Sequence, residues 1–177
     1  MLHATDTAQS PPLIVTLTID PEAHAFFDDL RTAHFPSERL QVGAHITMFH
    51  AIPGGLEAQL RAAAADQAAA ISAFPLRIRR LRSLGRGVAY DFECLDAKTL
   101  RAALAAPIAA FLTPQDRAAW SPHITIQNKV LPAVARETQA HLSIVPPPLT
   151  ITAMGLALWR YRGGPWEALA QYRFGSR

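Results

Sequence analysis

Cysteine is almost missing from this chain. Cys94 is the only one, which excludes an intrachain disulfide and a thiol metal cluster and makes a reducing cytoplasm the simplest location. Lysine is nearly as scarce, because every basic residue except Lys98 and Lys129 is arginine. No apolar run approaches the roughly 18 residues a membrane helix needs, and residues 1–12 lack the basic-then-apolar order of a secretory leader. Charged residues make up 18% of the chain against 50% apolar ones, a balance that excludes a charge-driven disordered binder and fits an ordinary globular protein.

What remains is a chain of 177 residues, long enough for one compact domain or two lobes sharing a core. The basic excess is only +3, but its arginine form favours a partner bearing phosphate or carboxylate oxygens, which a guanidinium fork matches. Genome-driven arginine usage, alongside Ala-rich helices, produces the same bias.

The organising stretch is His45-Ile46-Thr47-Met48, because the pattern returns as His123-Ile124-Thr125-Ile126. A bare His-x-Thr is weak, since a chain of this composition holds about half a copy by chance, and a decoy stands at His3-Ala4-Thr5. Requiring apolar residues at x and after Thr, as a strand with one face inward demands, lowers the expectation to about 0.1 copies. In such a strand His and Thr stand side by side on one face while Ile46, Met48, Ile124 and Ile126 face the core.

The remaining periodicities predict a strand over Leu13–Asp20, then a helix to about His34 with Asp20 as N-cap and Pro21 in its first turn. Further strands are predicted at 45–50, 74–84, 88–95 and 123–129, and long alternating runs at 149–162 and 166–174 meet at Gly163-Gly164-Pro165. Helices are predicted over 56–72, from Asp96 as N-cap to about Leu112 with an interruption at Pro107, and over 131–143. Residues 113–122 read as a loop and Pro146-Pro147-Pro148 as a rigid linker. Both halves thus run strand, helix, His-x-Thr strand, helix, strand. The first strand precedes the histidine by 32 residues in one half and 35 in the other, from 45 − 13 and 123 − 88.

The expected fold is therefore α+β: duplicated β-α-β-α-β lobes related by a pseudo-twofold axis, with antiparallel or mixed sheets lining a central cleft and helices outside. Residues 1–12 are expected to form a mobile tail and 13–177 a single bilobal domain, with lobes near 13–85 and 86–177. Such symmetry carries both His-Thr pairs to one cleft. Two facing imidazoles suit in-line displacement at phosphorus, one taking a proton from the attacking group and the other giving one to the leaving oxygen. The Thr47 and Thr125 hydroxyls suit the non-bridging oxygens. No metal-ligand motif appears, so neither metal nor cofactor is expected.

With its paired His-x-Thr-x motifs, one per lobe, the chain resembles the 2H phosphoesterase superfamily, in its branch of 2′-5′ RNA ligase-like cyclic phosphodiesterases. The resemblance covers about Leu13 to Phe174. It implies a bilobal α+β fold and metal-independent opening of a 2′,3′-cyclic phosphate, on RNA ends or small nucleotides, to a 2′-phosphate. In some members a reversible 2′-5′ RNA ligation accompanies it. The catalytic residues it implies are His45, Thr47, His123 and Thr125. It further suggests Arg160, in Leu158-Trp159-Arg160-Tyr161, as a substrate contact, although many relatives carry Arg-Ser where this chain has Arg160-Tyr161. A catalytically idle RNA- or nucleotide-binding module on the same fold is the alternative.

On a regular strand Gln127 and Lys129 share the face of His123 and could reach a phosphate or base edge, as well as end the strand in solvent. Phe49 shares the face of His45 and could stack a base or fill the core. Arg77, Arg79, Arg80 and Arg82 could track a nucleic-acid backbone, though a solvated strand face accounts for them more simply. Tyr90, Trp120, Trp159 and Trp166 are candidate base platforms or plain core. His24, His34, His50 and His141 have no partner pattern and read as structural or surface groups. A monomer is expected.

Overall fold

The computed structural model describes residues 10–148 and 150–175, so most of the expected tail, residues 1–9, lies outside the described part. Strand β1 (Leu13–Ile19) leads into helix α1 (Pro21–His34). Asp20 caps α1 by accepting from the Ala23 amide at 2.9 Å, and its second carboxylate oxygen accepts from the Thr152 amide at 2.7 Å. One side chain thus starts a helix and fixes it to a strand far along the chain. The apolar stripe of α1 buries Ala23, Phe27 and, at the next turn, Arg31.

Then come β2 (Ile46–Ile52), α2 (Glu57–Ala70), β3 (Phe74–Ser83), β4 (Val88–Glu93) and α3 (Leu95–Ala105). The cap of α3 is Cys94 rather than the expected Asp96: its Sγ accepts from the Ala97 amide at 3.4 Å. Pro107 ends the α-helix, and residues 106–111 continue as 3-10 helix. Within the expected loop, Thr113 caps a single turn, α4 (Pro114–Arg117). Strand β5 (His123–Gln127), α5 (Pro132–Leu142), β6 (Ile151–Tyr161) and β7 (Trp166–Arg173) complete the chain. Gly163, at φ 88°, supplies the left-handed residue that the β6–β7 turn requires.

All ladders between these strands are antiparallel, in the order β2-β1-β6-β3-β4-β5 with β7 on the other edge of β6. β6 is shared: β1 and β7 flank most of its length, so β3 reaches it only through Phe74–Leu76 and spends the rest of its length on β4. Two groups result, β2-β1-β6-β7 and β3-β4-β5, and they do not follow the halves of the sequence. A boundary near residue 85 falls inside the β3–β4 hairpin, because each half lends its closing strands to the other. α1 crosses likewise, its Phe27 ring lying 5.5 Å from Tyr90 and 6.1 Å from Phe92 of β4. Phe27 is fully buried there, a burial that stabilises the junction by about 1.5–3 kcal/mol.

Candidate active site

The motif strands β2 and β5 are the two ends of the six-strand path, and they lie against each other. Ile46, Met48, Ile124 and Ile126 are fully buried, while His45, Thr47, His123 and Thr125 stay half-buried, as alternation demands. Each histidine is held the same way. His45 Nδ1 lies 2.7 Å from the Gly43 carbonyl, and His123 Nδ1 lies 2.9 Å from the Ser121 carbonyl. A carbonyl only accepts, so Nδ1 donates in both rings and Nε2 is left as the nitrogen without that tie.

A buried guanidinium ties the two motifs. Arg31 of α1 donates from Nη1 to the Thr125 carbonyl and from Nη2 to the Val42 carbonyl at 2.9 Å, just ahead of His45. It is 4% exposed, and its Nε has no partner. Burial of the imidazole lowers the His45 pKa to about 4, against the raising effect of its Gly43 bond and with help from the charges of Arg31, His123 and His50. His45 is therefore neutral across the ordinary pH range, its Nε2 free to accept a proton.

Behind β2, Trp120 Nε1 donates to the Thr47 carbonyl at 2.9 Å. Arg101 donates to the Met48 carbonyl at 2.7 Å and the Asp116 carbonyl at 2.6 Å, with its guanidinium over the Phe49 and Trp120 rings. Asp116 accepts from the backbone amides of His50 (2.8 Å) and Ala51 (3.0 Å), and its Oδ1 lies 3.1 Å from His50 Nδ1. Burial works to raise the Asp116 pKa, but these bonds outweigh it and hold the carboxyl below its usual range. None of Arg31, Asp116, Trp120 or His50 stands in a motif. Only the placement of an arginine on the apolar stripe of α1 hinted at a buried role.

The two sides of the site differ. Trp166 lies 4.9 Å from the His45 ring and 6.0 Å from Trp159, whose Nε1 donates to Thr16 Oγ1 at 2.9 Å. His123 instead sits opposite Asp91 across the β4–β5 ladder, and Asp91 is opposite Arg80 on β3. Asp91 is buried and accepts from Arg80 Nε at 3.1 Å and Arg82 Nε at 2.8 Å.

Of the flanking residues expected to meet a substrate, the structure brings Lys129 to a depression that His45, Arg31 and Trp166 also line. Three others go elsewhere. Phe49 and Gln127, each four residues after a motif histidine, are both buried. The ladders explain why: Thr47 and Phe49 face the consecutive residues Thr16 and Val15, and Thr125 and Gln127 face Ala89 and Val88. Each motif strand therefore carries one extra residue immediately after its Thr, a bulge that turns the next side chain inward. Gln127 Nε2 accordingly donates to Thr138 Oγ1 and the His34 carbonyl. Arg160 is committed to ion pairs with Glu57 and Glu167, on the side of β6 away from Trp159, because adjacent strand residues point oppositely.

Among the described residues no group of three or more His, Cys, Asp and Glu is arranged to hold a metal ion, and no helix is long and apolar enough to cross a membrane.

The architecture has counterparts among solved structures. Escherichia coli LigT in complex with NADP+ superposes with a TM-score of 0.63 at 17% identity, covering 94% of this chain and 99% of that one. The E. coli LigT complex with 3′-AMP gives 0.62 at 17% identity, over 96% and 100%. TT0787 of Thermus thermophilus gives 0.66 at 18% identity, over 94% and 99%. At these identities the likeness establishes the fold. No curated protein sequence matches the chain. The model of the 2′-5′ RNA ligase superfamily, however, matches residues 19–165, and the chain belongs to that superfamily.

Proposed function

We propose that the protein is a metal-independent phosphoesterase that opens 2′,3′-cyclic phosphates, on RNA ends or nucleotides, to 2′-phosphates. The observation that carries this reading is the matched pair of imidazoles, each with Nδ1 held by the carbonyl two residues earlier and each on one of two abutting edge strands. In the proposed reaction His45 Nε2 takes a proton from water as the water oxygen bonds to phosphorus. The bond from phosphorus to O3′ breaks, and His123 gives its proton to O3′, leaving a 3′-hydroxyl and a 2′-phosphate. Thr47 and Thr125 donate to the non-bridging oxygens as charge builds there. The depressed pKa of His45 supports its role as base, and the acid role then falls to His123. With an RNA 5′-hydroxyl in place of water, the same proton transfers join two ends through a 2′-5′ linkage and release the 3′-hydroxyl. Nucleotide complexes of the similarly folded E. coli LigT, with NADP+ and 3′-AMP, support a nucleotide-sized ligand.

The test is hydrolysis of a 2′,3′-cyclic mononucleotide in EDTA, with the product resolved into 2′- and 3′-phosphates. Turnover to the 2′-phosphate is expected, with losses of at least about 10²-fold in both His45→Ala and His123→Ala. Unchanged turnover in either variant overturns the mechanism. Nucleotide binding without turnover would instead make the protein an idle binding module.

A further inference from the structure

We propose that the groove beside His123 is a second phosphate subsite, built by His50, Arg79, Arg80, Arg82 and Arg101, that takes a phosphate adjoining the cyclic one. This rests on the reading of the His45–His123 site as the seat of a phosphate. The groove encloses about 430 Å³, and His123 is part of its wall, so a ligand held there lies next to the motif histidine.

Its charge is one-sided. Four arginines and two acids, Asp91 and Asp116, line or back it, which leaves an excess of two positive charges before any histidine is counted. The acids, moreover, leave the cations available. Asp91 binds Arg80 and Arg82 through their Nε atoms, so those bonds spare the terminal nitrogens that grip phosphate in a forked geometry. Arg79 and Arg80 are exposed. Arg101 makes its hydrogen bonds to carbonyls and packs between two rings, a cation fixed in place before any anion arrives.

His50 supplies the second line of argument. Its ring faces the groove while Nδ1 meets Asp116, whose side chain is fully buried. A carboxylate withdrawn from water is costly unless hydrogen bonds replace those it loses to solvent. Here its two oxygens take three polar hydrogens of His50 and Ala51, which orients the imidazole and leaves Nε2 for a ligand. Two sources of phosphate fit: the 5′-phosphate of a mononucleotide or the preceding phosphodiester of a chain.

The experiment is calorimetric binding at low salt of a nucleoside 2′-phosphate, the 2′,5′-bisphosphate, and a dinucleotide ending in a 2′-phosphate. The bisphosphate is expected to bind about 10-fold more tightly than the monophosphate, with the gain shrinking as salt is added. Both His50→Gln and Arg79→Gln should remove most of that gain, and Arg79→Gln should leave the monophosphate Kd within about 2-fold. A gain shared by the dinucleotide assigns the subsite to chain phosphodiesters, and a gain confined to the bisphosphate assigns it to a terminal phosphate. Equal affinity for all three ligands overturns the subsite, as does equal weakening of all three by the variants. Turnover of the cyclic mononucleotide, measured alongside, separates the cases: its absence overturns the reading of the histidine pair and leaves the affinity comparison standing.

Discussion

Around His45 the walls are aromatic, with Trp166 against the ring and Trp159 behind it; around His123 they are ionic, with Asp91 bracketed by Arg80 and Arg82. The backbones of the two motifs nevertheless match, from the carbonyl two residues before each histidine to the bulge after each threonine. The shared backbone ties Nδ1 of each ring and leaves Nε2 untied. The unlike walls give the two rings different surroundings: burial lowers the pKa of His45, whereas His123 stands beside the network of Asp91 and its arginines. In the proposed mechanism these unlike surroundings turn a duplicated frame into an acid–base pair.

The sharpest way to break this comparison is to change the leaving group. With a cyclic nucleotide, His123→Ala and His45→Ala should each lose at least about 10²-fold in kcat/KM. With a nitrophenyl phosphodiester, whose leaving group needs no proton, His123→Ala should recover most of its loss and His45→Ala should not. Recovery in the other variant exchanges the two roles.

The next effect concerns Arg31, which contributes to the low pKa of His45. Wild-type kcat/KM should rise with pH through about 4 as His45 loses its proton. In Arg31→Met that limb should move towards neutrality, by about one unit, so that activity at pH 5 falls from near its plateau to about half of it. Arg31→Lys should restore part of the shift. A limb that stays near 4 in Arg31→Met removes the guanidinium from the comparison.

His45 also makes stability depend on pH. Its folded pKa of about 4 lies below the unfolded value near 6.5, so between these limits the unfolded chain binds a proton that the folded one refuses. Stability should therefore fall as pH drops from about 6.5 to 4. Denaturant midpoints of His45→Gln should vary less over that window than those of the wild type. Equal slopes would mean that the ring is not held neutral by burial.

The smallest effect is expected at Arg160, which contacts Glu57 and Glu167 rather than the site. Arg160→Ala should leave kcat/KM within about 3-fold, since partly exposed ion pairs contribute little. A larger loss would put β6 back into substrate contact.

The sequence made the paired motifs, the α+β class and nearly every strand legible, because alternation and Gly/Pro punctuation are local signals. It was silent about the bulges after Thr47 and Thr125. A single extra residue is a property of the ladder between two strands, so Phe49 and Gln127 looked like groove residues until their partners were known. Arg160 is a different case: whether Arg160 or Trp159 faces the site depends on which face of β6 looks inward, and pattern alone leaves both faces half apolar. Asp116 and His50, 66 residues apart, could not be joined by reading along the chain.

The exchange of closing strands has a consequence for how the protein comes to be made. β1 finds its principal partner only in β6, after more than a hundred intervening residues have left the ribosome, while β3, β4 and β5 are consecutive strands and can pair first. The Arg-lined group is thus expected to form early. The first histidine's sheet must wait for one of the last segments synthesised, and until then β1 offers an unpaired apolar edge that invites chaperones or aggregation.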